Sequence, residues 1–484
     1  MAKTLWDHQK EGVKYWNSMA HPSLVWEMRL GKTDVAICGT QEFDSKSILV
    51  AGPTNIMDGW ENSLHDAGER YVRAYATKKV DRIHAVSQGF ETNKRTWVLM
   101  NYEAARTVPR IAELPWDSVI ADESVKLKNP AALVSKLFTK GFRHVKHRSL
   151  LCGLIAPEKE LDLFMQFKFL HGRFMDCTSF WDFRSSYFEV SRDGYSWIPK
   201  PGMRDQIKAA LHRKSSVLRR ADVGMDKQKI YSTRTVEMNP EQKALYRIID
   251  RDFRHEFEGR TVDETVWATE KAIWLSRVAG GFSPDYDFVK GLGRVISTAK
   301  PDEIVYLLTN ELAGQSVVIW YRFRDELLHD ADFFEKKRFN VARLYGEGMS
   351  VNERNNQRRK FRSGMAQLLC VMEKIADKGE DFSIASTAMY RSNEPSCDMR
   401  IQSEDRILHL QKKGSLFYID FCAENTLDEH ALRNSRDKSF NAREMMTAYG
   451  KGRTSLKQTL VDIFEEIKVG YPQQPLLVGL SGEE

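Results

Sequence analysis

Short apolar segments that alternate with helix-like stretches restrict the fold of this chain more than any other feature. Five such segments lie between residues 21 and 155, namely SLVWEM, KSILVAG, TWVLMN, DSVIADE and HRSLLCGL. Each has the length of one strand and lacks a polar face, as expected for a strand that is buried on both sides. Apolar strands separated by helices form parallel sheets with crossover helices. The sequence therefore predicts an α/β fold.

A second set of apolar segments follows after a long interval, and it predicts a second sheet. Its members are QSVVIWYR, FNVARLYG, AQLLCVME, STAMYRS and SLFYIDFCA. The chain has 484 residues, 42% of them hydrophobic, and a single core stops growing at roughly 250 to 300 residues. We therefore predict two parallel-sheet α/β domains in tandem, with helical insertions between them.

The expected domain limits follow from the spacing of these segments. Residues 1–160 form the first domain, 161–300 the helical insertions and a linker around VGMDKQKIYS, 301–440 the second domain, and 441–484 a tail. The middle piece is predicted to be helical because its aromatic and charged residues recur at helical spacing, as in ELDLFMQFKFLHG.

The overall charge permits a nucleic-acid partner without requiring one. Lys and Arg number 73 against 67 Asp and Glu, which gives a net charge of +6. The chain has no run of about 18 apolar residues, and its start, MAKTLWDHQKEGVKYW, lacks the apolar centre of a signal peptide. We expect a cytoplasmic protein that is neither exported nor bound to a membrane.

The first apolar segment leads into a loop of the type that binds nucleotide phosphates. In VWEMRLGKTDV, Gly31, Lys32 and Thr33 stand between a predicted strand and a predicted helix. Amides at a helix start attract phosphate oxygens, Lys32 would reach the β- and γ-phosphates, and the Thr33 hydroxyl would ligate Mg²⁺. We predict an ATP site here; the alternative is a surface helix with an ordinary cap.

Arg29 occupies a place in this loop where a small residue is usual. A residue with a Cβ atom pays a steric penalty at positive φ. We predict that Arg29 adopts a negative φ and points its cation outward or toward the phosphates.

An acidic pair follows a later apolar segment of the same set. In SVIADESVKLKNP, Asp122 and Glu123 come at the end of the predicted strand, and the carboxyl ends of parallel strands face the ligand crevice. Asp122 would hold Mg²⁺ through water, and Glu123 would orient and deprotonate the attacking water. An isolated acidic pair is typical of a solvated loop; its occurrence in the same sheet as Lys32 favours the catalytic interpretation.

The stretch DESVKLKNP resembles the Asp-Glu-Ser/Ala-x-x-Ile/Leu-Lys-Asn-Pro motif of SNF2-type ATPases, a branch of helicase superfamily 2. Other segments resemble motifs of that family in the same order: LWDHQKEGVKYW, VAGPTNIMDGW, LMNYEAAR, CGLIAPEKELDLFMQFKFLHG, VVIWYRFRDEL and MRIQSEDRILHLQKKG. The resemblance implies two RecA-like domains that close on ATP and Mg²⁺ and thereby move the protein along double-stranded DNA.

The resemblance also implies roles for individual residues. Gln9 would read adenine, Gly379 would lie at the nucleotide, and Gln402 and Arg406 would reach the γ-phosphate from the second domain as catalytic residues. Contacts with the DNA backbone would come from Thr54, Asn101, Tyr102 and Lys128.

Two departures from the family pattern concern hydrolysis. The usual Thr-Gly-Thr-Pro of the coupling motif is replaced by CGLIAP, which lacks both threonine hydroxyls. His409 stands three residues after Arg406, where the family has a second arginine. A neutral and shorter histidine would stabilise a transition state less well than an arginine.

A basic segment, NERNNQRRKFRSG, is the candidate for further DNA contact. Its arginines are Arg354, Arg358, Arg359 and Arg362. In a helix, residues 354, 358 and 362 share one face, and such side chains neutralise phosphates without reading the base sequence. A solvated basic helix is the alternative.

We therefore expect a monomeric, ATP- and Mg²⁺-dependent motor on double-stranded or branched DNA. The wording of YRSNEPSCDMRIQSEDR is nearest to the compact phage and bacterial members, which suggests replication, recombination or displacement of bound protein in the host cytoplasm. Three alternatives remain: an ATP-gated DNA clamp or scaffold with weak hydrolysis, a fork-remodelling or strand-separating helicase, and an unrelated phosphate-loop kinase.

Overall fold

The computed structural model describes two compact units. Residues 4–446 are described except for 76–77, 91–93, 109, 157, 192–195, 253–263, 288–291, 347, 375–379, 395, 409–413, 430, 434–435 and 437–444. Met1–Asp226 makes up most of the first unit, and Lys227–Ala376 with Glu380–Arg436 makes up most of the second. The division after Asp226 lies inside VGMDKQKIYS, the segment predicted to connect the domains.

A seven-stranded parallel sheet forms the centre of the first unit. The strands of this unit are β1 (Ser23–Trp26), β2 (Ser47–Gly52), β3 (Tyr71–Arg73), β4 (Thr96–Asn101), β5 (Ser118–Asp122), β6 (His147–Cys152), β7 (Phe188–Val190), β8 (Trp197–Pro199) and β9 (Ser216–Leu218). The order in the sheet is β3-β4-β2-β5-β6-β1-β9, and β7 pairs with β8 in a separate antiparallel ribbon.

Helices flank this sheet. They are α1 (Asp7–Ser18), α2 (Lys32–Gln41), α3 (Met57–Asp66), α4 (Lys79–Gln88), α5 (Tyr102–Ala105), α6 (Leu133–Lys136), α7 (Leu163–His171), α8 (Phe180–Tyr187) and α9 (Met203–Lys214). Strands β1, β2 and β5 are buried along their whole length. The apolar side chains of α1, α2 and α3 pack on the sheet in one core that includes Trp16, Trp26 and Trp60.

A six-stranded parallel sheet forms the centre of the second unit. The strands of this unit are β10 (Lys229–Val236), β11 (Phe282–Asp287), β12 (Leu292–Val295), β13 (Val317–Tyr321), β14 (Val341–Leu344), β15 (Leu368–Met372), β16 (Thr387–Tyr390) and β17 (Leu416–Ala423). The order is β10-β17-β16-β13-β15-β14, with β11 and β12 in an antiparallel ribbon. Separate apolar clusters are built on alternate residues of the sheet, as Val318 and Trp320 belong to one and Val317 and Ile319 to the other.

The helices of the second unit complete the α/β arrangement. They are α10 (Pro240–Asp252), α11 (Glu264–Ala279), α12 (Ala299–Asn310), α13 (Arg324–Lys336), α14 (Val351–Arg362) and α15 (Cys397–Glu404). Across the part of the chain that the structure describes, no helix is long and apolar enough to span a membrane.

The predicted fold class, two parallel-sheet α/β domains in tandem, is confirmed. The ten apolar segments named above form β1, β2, β4, β5, β6 and β13 to β17. The middle piece is not purely helical, because β9 joins the edge of the first sheet and β10 joins the edge of the second. Both were missed because edge strands are only partly buried and carry polar residues, as in KIYSTRTV.

Strand register brings three loops of the first unit to one edge of the sheet. Val25 of β1 pairs with Cys152 of β6, and Leu151 pairs with Asp122 at the end of β5. The segments that follow these strands are the phosphate loop, the acidic pair and CGLIAP. The carboxyl edge of a parallel sheet is where such folds bind ligands.

The contact between α1 and α2 sets the position of the helix that follows the phosphate loop, and two helical glycines test it. A Cβ atom on Gly39 would lie 2.5 Å from the Trp16 ring, whereas one on Gly59 in α3 would meet nothing within 4 Å. Gly39→Ala should lower the free energy of unfolding by about 1–3 kcal/mol, as overpacking does. Gly59→Ala should raise it by up to about 1 kcal/mol through helix propensity. Thermal unfolding midpoints measure both, and equal midpoints would contradict the packing.

Candidate functional site

The phosphate loop is packed against the residue predicted to read adenine. Gly31 has a φ of 76° and caps the start of α2. A Cβ atom at Gly31 would overlap the side-chain amide of Gln9. Gln9 is buried, and its Oε1 accepts a hydrogen bond from the Trp6 amide at 2.8 Å. The structure thus brings Gln9 and the loop together, and only glycine fits between them at this φ.

Lys32 and Thr33 occupy the first turn of α2. The Lys32 ammonium donates to the carbonyl oxygens of Trp26 at 2.8 Å and Glu27 at 3.4 Å. It is also near the CGLIAP segment, because a Cβ atom on Gly153 would lie 3.8 Å from Lys32 Nζ. Thr33 is half-buried in the same turn. The residues predicted to bind phosphate and metal are therefore the first two residues of α2.

The prediction for the backbone of Arg29 is wrong. Its φ is 67°, in the left-handed region that L-residues with a Cβ atom disfavour. Leu30 is completely buried next to it and Gly31 is also left-handed. A turn that buries Leu30 in the core and ends at Gly31, the residue that caps α2, imposes this conformation on Arg29.

Asp122 lies at the end of β5 with only 7% of its surface exposed. Its Oδ2 accepts a hydrogen bond from Trp60 Nε1 at 2.9 Å, and its Oδ1 accepts one from the Glu123 amide at 2.7 Å. Burial and the neighbouring Glu123 carboxylate raise the pKa of Asp122 to about 6, against the opposing effects of the Trp60 hydrogen bond and the Lys32 ammonium. The carboxyl group is thus held in place by two hydrogen bonds, and its ionisation lowers the stability of the folded protein.

Glu123 adopts a conformation that few glutamates tolerate. Its φ is 49° and its ψ is 51°, and a short 3₁₀ helix, Ser124–Leu127, begins directly after it. The residue is 7% exposed. A left-handed non-glycine residue costs on the order of 1–3 kcal/mol and persists where its surroundings fix it, often at functional sites. The geometry is consistent with the catalytic role predicted for Glu123.

The residues at this edge fit a magnesium ion. Mg²⁺ prefers oxygen ligands and is usually bound through one or two carboxylates together with substrate phosphates. Asp122 and Glu123 are adjacent buried carboxyl groups whose mutual repulsion contributes to the raised pKa of Asp122. A divalent cation would relieve that repulsion, and the Thr33 hydroxyl supplies a further oxygen on α2.

Three of the predicted DNA contacts lie at the same edge of the first sheet. Thr54 follows β2 and is exposed, Asn101 ends β4, and Lys128 follows β5. Strands β4, β2 and β5 are neighbours in the sheet. The Asn101 amide donates to Glu103 at 3.0 Å, and Lys128 lies 3.7 Å from Asp162.

Tyr102 is placed differently from a side chain that contacts DNA. Only 2% of its surface is exposed, and its hydroxyl donates to the carbonyl oxygen of Asp122 at 2.8 Å. The predicted DNA contact of Tyr102 is therefore replaced by a structural role. A phenol buried under the sheet edge has no access to a phosphate, and its hydrogen bond instead fixes the backbone that precedes Glu123.

The catalytic candidates of the second unit lie on α15 and directly after it. Gln402 Nε2 donates to Asp398 at 2.5 Å. Arg406 is buried, and its Nη1 donates to the carbonyl oxygen of Glu380 at 3.3 Å. Gly379 and His409 lie outside the described residues.

The basic segment forms α14, as expected, but its predicted DNA face makes contacts within the unit. Arg358 and Arg362 both pair with Glu380, at 2.5 Å and 2.9 Å. Arg358 is consequently only 14% exposed, so its predicted role as a phosphate contact is replaced by an ion pair. Arg354 is half-buried, whereas Arg359 and Arg362 are exposed.

Three side chains that support the acidic pair were missed by sequence reasoning or given other roles. Trp60 and Tyr102 bond to Asp122, although the family resemblance implied that their motifs lie along DNA. Gln166 bonds to Ser124, the residue after Glu123. A single uncharged polar residue inside the apolar stretch DLFMQF was a usable signal, because a buried amide needs partners.

Two known family models together match most of the chain. The family described as SNF2-related domain matches residues 8–275, and that described as helicase conserved C-terminal domain matches residues 299–411. The chain is 20% identical over 444 residues to the SWI/SNF-related matrix-associated actin-dependent regulator of chromatin subfamily A-like protein 1 of Drosophila melanogaster, which covers 90% of this chain and 56% of the relative. It is 29% identical over 162 residues to the Zorya protein ZorD of Escherichia coli, which covers 27% of this chain and 15% of the relative.

The chain thus spans little more than half of the first of these relatives and a small part of the second. Among solved structures, the Sulfolobus solfataricus SWI2/SNF2 ATPase core in complex with dsDNA is 20% identical, with a TM-score of 0.44; the match covers 93% of this chain and 96% of that one.

The left-handed backbone of Arg29 leads to a prediction for Arg29→Gly. Glycine adopts a φ of 67° without the Cβ penalty, so the variant should gain about 1 kcal/mol in unfolding free energy and should keep its nucleotide affinity. Lys32→Ala should lose nucleotide binding. Titration with a fluorescent ADP analogue and thermal unfolding measure the two effects. Equal loss of affinity in both variants would instead make Arg29 a nucleotide ligand.

The raised pKa of Asp122 predicts a pH-dependent stability. The folded-state pKa of about 6 exceeds the ordinary 3.8, so the folded protein binds this proton more tightly than the unfolded chain, and stability falls as the pH rises through 6. Asp122→Asn has no carboxyl group to titrate, although its Nδ2 cannot accept one of the two hydrogen bonds that the carboxylate accepts, which lowers its stability by a constant amount at every pH. Between pH 4 and pH 8 the variant should therefore lose less stability than the wild type, by up to about 3 kcal/mol.

Thermal unfolding between pH 4 and 8, without Mg²⁺ or nucleotide, measures this difference. Asp44→Asn is the control, since Asp44 is exposed and its replacement should give a profile parallel to that of the wild type. Parallel profiles for Asp122→Asn and the wild type would refute the interpretation.

Proposed function

The chain belongs to the SNF2-related ATPase family, whose domain matches more than half of it, and from that premise we propose that it hydrolyses ATP with Mg²⁺ in order to translocate along double-stranded DNA. The observation that carries the proposal is the buried acidic turn Asp122–Glu123 at the sheet edge that also holds Lys32. A metal-binding carboxylate, a general base and a phosphate-binding cation are the parts that phosphoryl transfer to water requires.

Each site residue of the first unit has a distinct role in this proposal. The amides at the start of α2 and the Lys32 ammonium hold the β- and γ-phosphates, with Arg29 and Gly31 shaping the loop. Gln9 reads adenine from its place against Gly31. Thr33 and Asp122 would hold Mg²⁺, which when bound neutralises charge on the phosphates. Glu123 accepts the proton of the attacking water.

The proposed DNA path follows polar residues at the carboxyl edge of the first sheet, where Thr54 is exposed and Asn101 and Lys128 are half-buried, and arginines on α14. Asn101 ends β4, and Thr54 and Lys128 follow the neighbouring strands β2 and β5, so the three residues lie at the same edge of the sheet. On α14, Arg359 and Arg362 are the exposed arginines, and Arg354 lies one turn before Arg358. Contacts of this kind bind phosphates and carry no base specificity.

The proposal also includes nucleotide contacts from the second domain and a biological setting. Gln402, Arg406 and Gly379 would act on the nucleotide from the second domain, within the domain limits predicted from the sequence. A monomer acting in phage replication, recombination or displacement of bound protein, in the host cytoplasm, fits the likeness of YRSNEPSCDMRIQSEDR to phage and bacterial members.

An ATP-gated DNA clamp with weak hydrolysis is the second candidate, and two observations favour it. Gln402 Nε2 donates to Asp398 and Arg406 Nη1 donates to the Glu380 carbonyl, and both of these bonds lie within the second unit. CGLIAP, next to Lys32, offers none of the hydroxyls that the family uses there. A clamp needs nucleotide binding but no fast turnover.

Phosphate release with and without DNA tests the motor against the clamp. The wild type should be stimulated by duplex DNA, Lys32→Ala should lose turnover through loss of nucleotide binding, and Glu123→Gln should bind nucleotide but turn over about 10²–10⁴-fold more slowly, as expected for loss of a general base. Glu113→Gln is the matched control, because Glu113 is exposed and pairs with Arg110; it should behave as the wild type.

The choice of DNA separates the remaining alternatives. Displacement of a third strand from duplex DNA would report translocation, whereas stimulation confined to forks, with release of single strands, would support a strand-separating enzyme. Nucleotide-dependent DNA binding without stimulated turnover would replace the motor by the clamp. Absence of DNA binding at low salt would exclude both and support a phosphate-loop enzyme of another class.

A further inference from the structure

A buried hydrogen-bonded chain begins at the residue after Glu123. Ser124 and Gln166 have no exposed surface. The Ser124 hydroxyl donates to Gln166 Oε1 at 2.6 Å. Ser124 also starts the 3₁₀ helix that follows the left-handed Glu123. The position of the Ser124 side chain is therefore linked directly to the strained backbone of Glu123.

The same glutamine reaches a second segment of the sheet edge. Gln166 Nε2 donates to the carbonyl oxygen of Ile155 at 2.7 Å and to that of Asp162 at 2.8 Å. Ile155 belongs to CGLIAP, which follows β6. One side chain on α7 thus joins the acidic turn to the segment that stands in place of the threonine-containing coupling motif.

The surroundings of Gln166 show that packing alone does not require an amide there. Its neighbours on α7, Phe164, Phe167 and Leu170, are buried apolar residues. A buried amide loses its hydration and contributes little net stability even when its hydrogen bonds are made. What the amide adds over an apolar residue of similar size is direction: it accepts from one segment and donates to another.

We propose that Gln166 is a positioning residue that sets the orientation of Glu123 through Ser124 and links it to CGLIAP. This proposal rests on the proposed ATP hydrolysis. In a chain without the two threonine hydroxyls, the Gln166 amide and the Ile155 carbonyl supply the polar connection between the acidic turn and the segment after β6. Gln166 touches no reacting atom; it acts by holding the base in place.

Ser124→Ala and Gln166→Met test this role, alone and together. Each should lower kcat by about 10- to 100-fold, as small misplacements of a catalytic group do, while KM for ATP changes less than about threefold because the phosphate loop is untouched. The double variant should be no slower than Gln166→Met, because both changes break the same connection. If Gln166→Met fails to fold, Ser124→Ala, which leaves the bonds to Ile155 and Asp162 in place, carries the test.

Ser118→Ala is the matched control for loss of a buried serine hydrogen bond. Ser118 lies at the other end of β5 and shares a 2.8 Å hydrogen bond with Ser45. This variant should show a similar fall in unfolding temperature with unchanged kcat. An unchanged kcat in Ser124→Ala, or a rise in KM equal to the fall in kcat, would overturn the positioning role alone. A wild type without DNA-stimulated turnover would overturn the proposed function, and the Gln166 role with it.

Discussion

The parallel register of β1, β5 and β6 is the constraint on which the rest of the first unit depends. These strands end level with one another, as Val25 pairs with Cys152 and Asp122 with Leu151. The three segments that follow them therefore meet at one sheet edge, although about ninety residues separate the phosphate loop from the acidic pair and about thirty separate the acidic pair from CGLIAP. A shift of one residue in β5 would exchange its two faces and move Asp122 away from Trp60. The apolar sequence of the strands thus sets the register of the strands, and that register determines which loop residues meet at the sheet edge.

Charge concentrated at this edge destabilises the fold, and the surrounding residues limit that cost. Asp122 is buried beside Glu123, which raises its pKa to about 6, and Glu123 stands in a left-handed conformation. Opposing this are hydrogen bonds from Trp60 and from the Glu123 amide to the Asp122 carboxylate, and from Tyr102 to its carbonyl oxygen. Residues that would be poor choices for stability alone lie at the edge where we propose that Mg²⁺ and the phosphates bind, which is the usual relation between stability and function at such sites.

The sequence predicted those parts of the fold that depend on a local pattern. Fully apolar runs identify central strands, because a strand that is covered on both faces has no polar side. Strands β3, β9 and β10 lie at sheet edges, where polar residues are allowed. At the site, Lys32 and Asp122 were recognisable from their position after apolar strands. The positive φ of Arg29 could not be predicted from the sequence, because steric preference favours a negative φ and only the packing of Leu30 overrides that preference. The hydrogen bonds of Trp60 to Asp122 and of Gln166 to Ser124 could not be predicted either. Each joins residues about 40 to 60 positions apart, a separation over which sequence spacing carries no information.

The second unit shows why an arginine in a matching motif is weak evidence for a role. The stretch YRSNEPSCDMRIQSEDR contains Arg391, Arg400 and Arg406. Arg391 is completely buried and pairs with Glu326 and Asp330. Arg400 pairs with Asp420 and lies 3.4 Å from the centre of the Tyr390 ring. Removal of one partner from such buried pairs leaves an uncompensated charge and typically costs about 3–5 kcal/mol, so either arginine would be retained for the fold alone. Resemblance in this stretch therefore argues for the architecture of the unit, and the case for a second-domain contribution to ATP hydrolysis rests on Gln402 and Arg406.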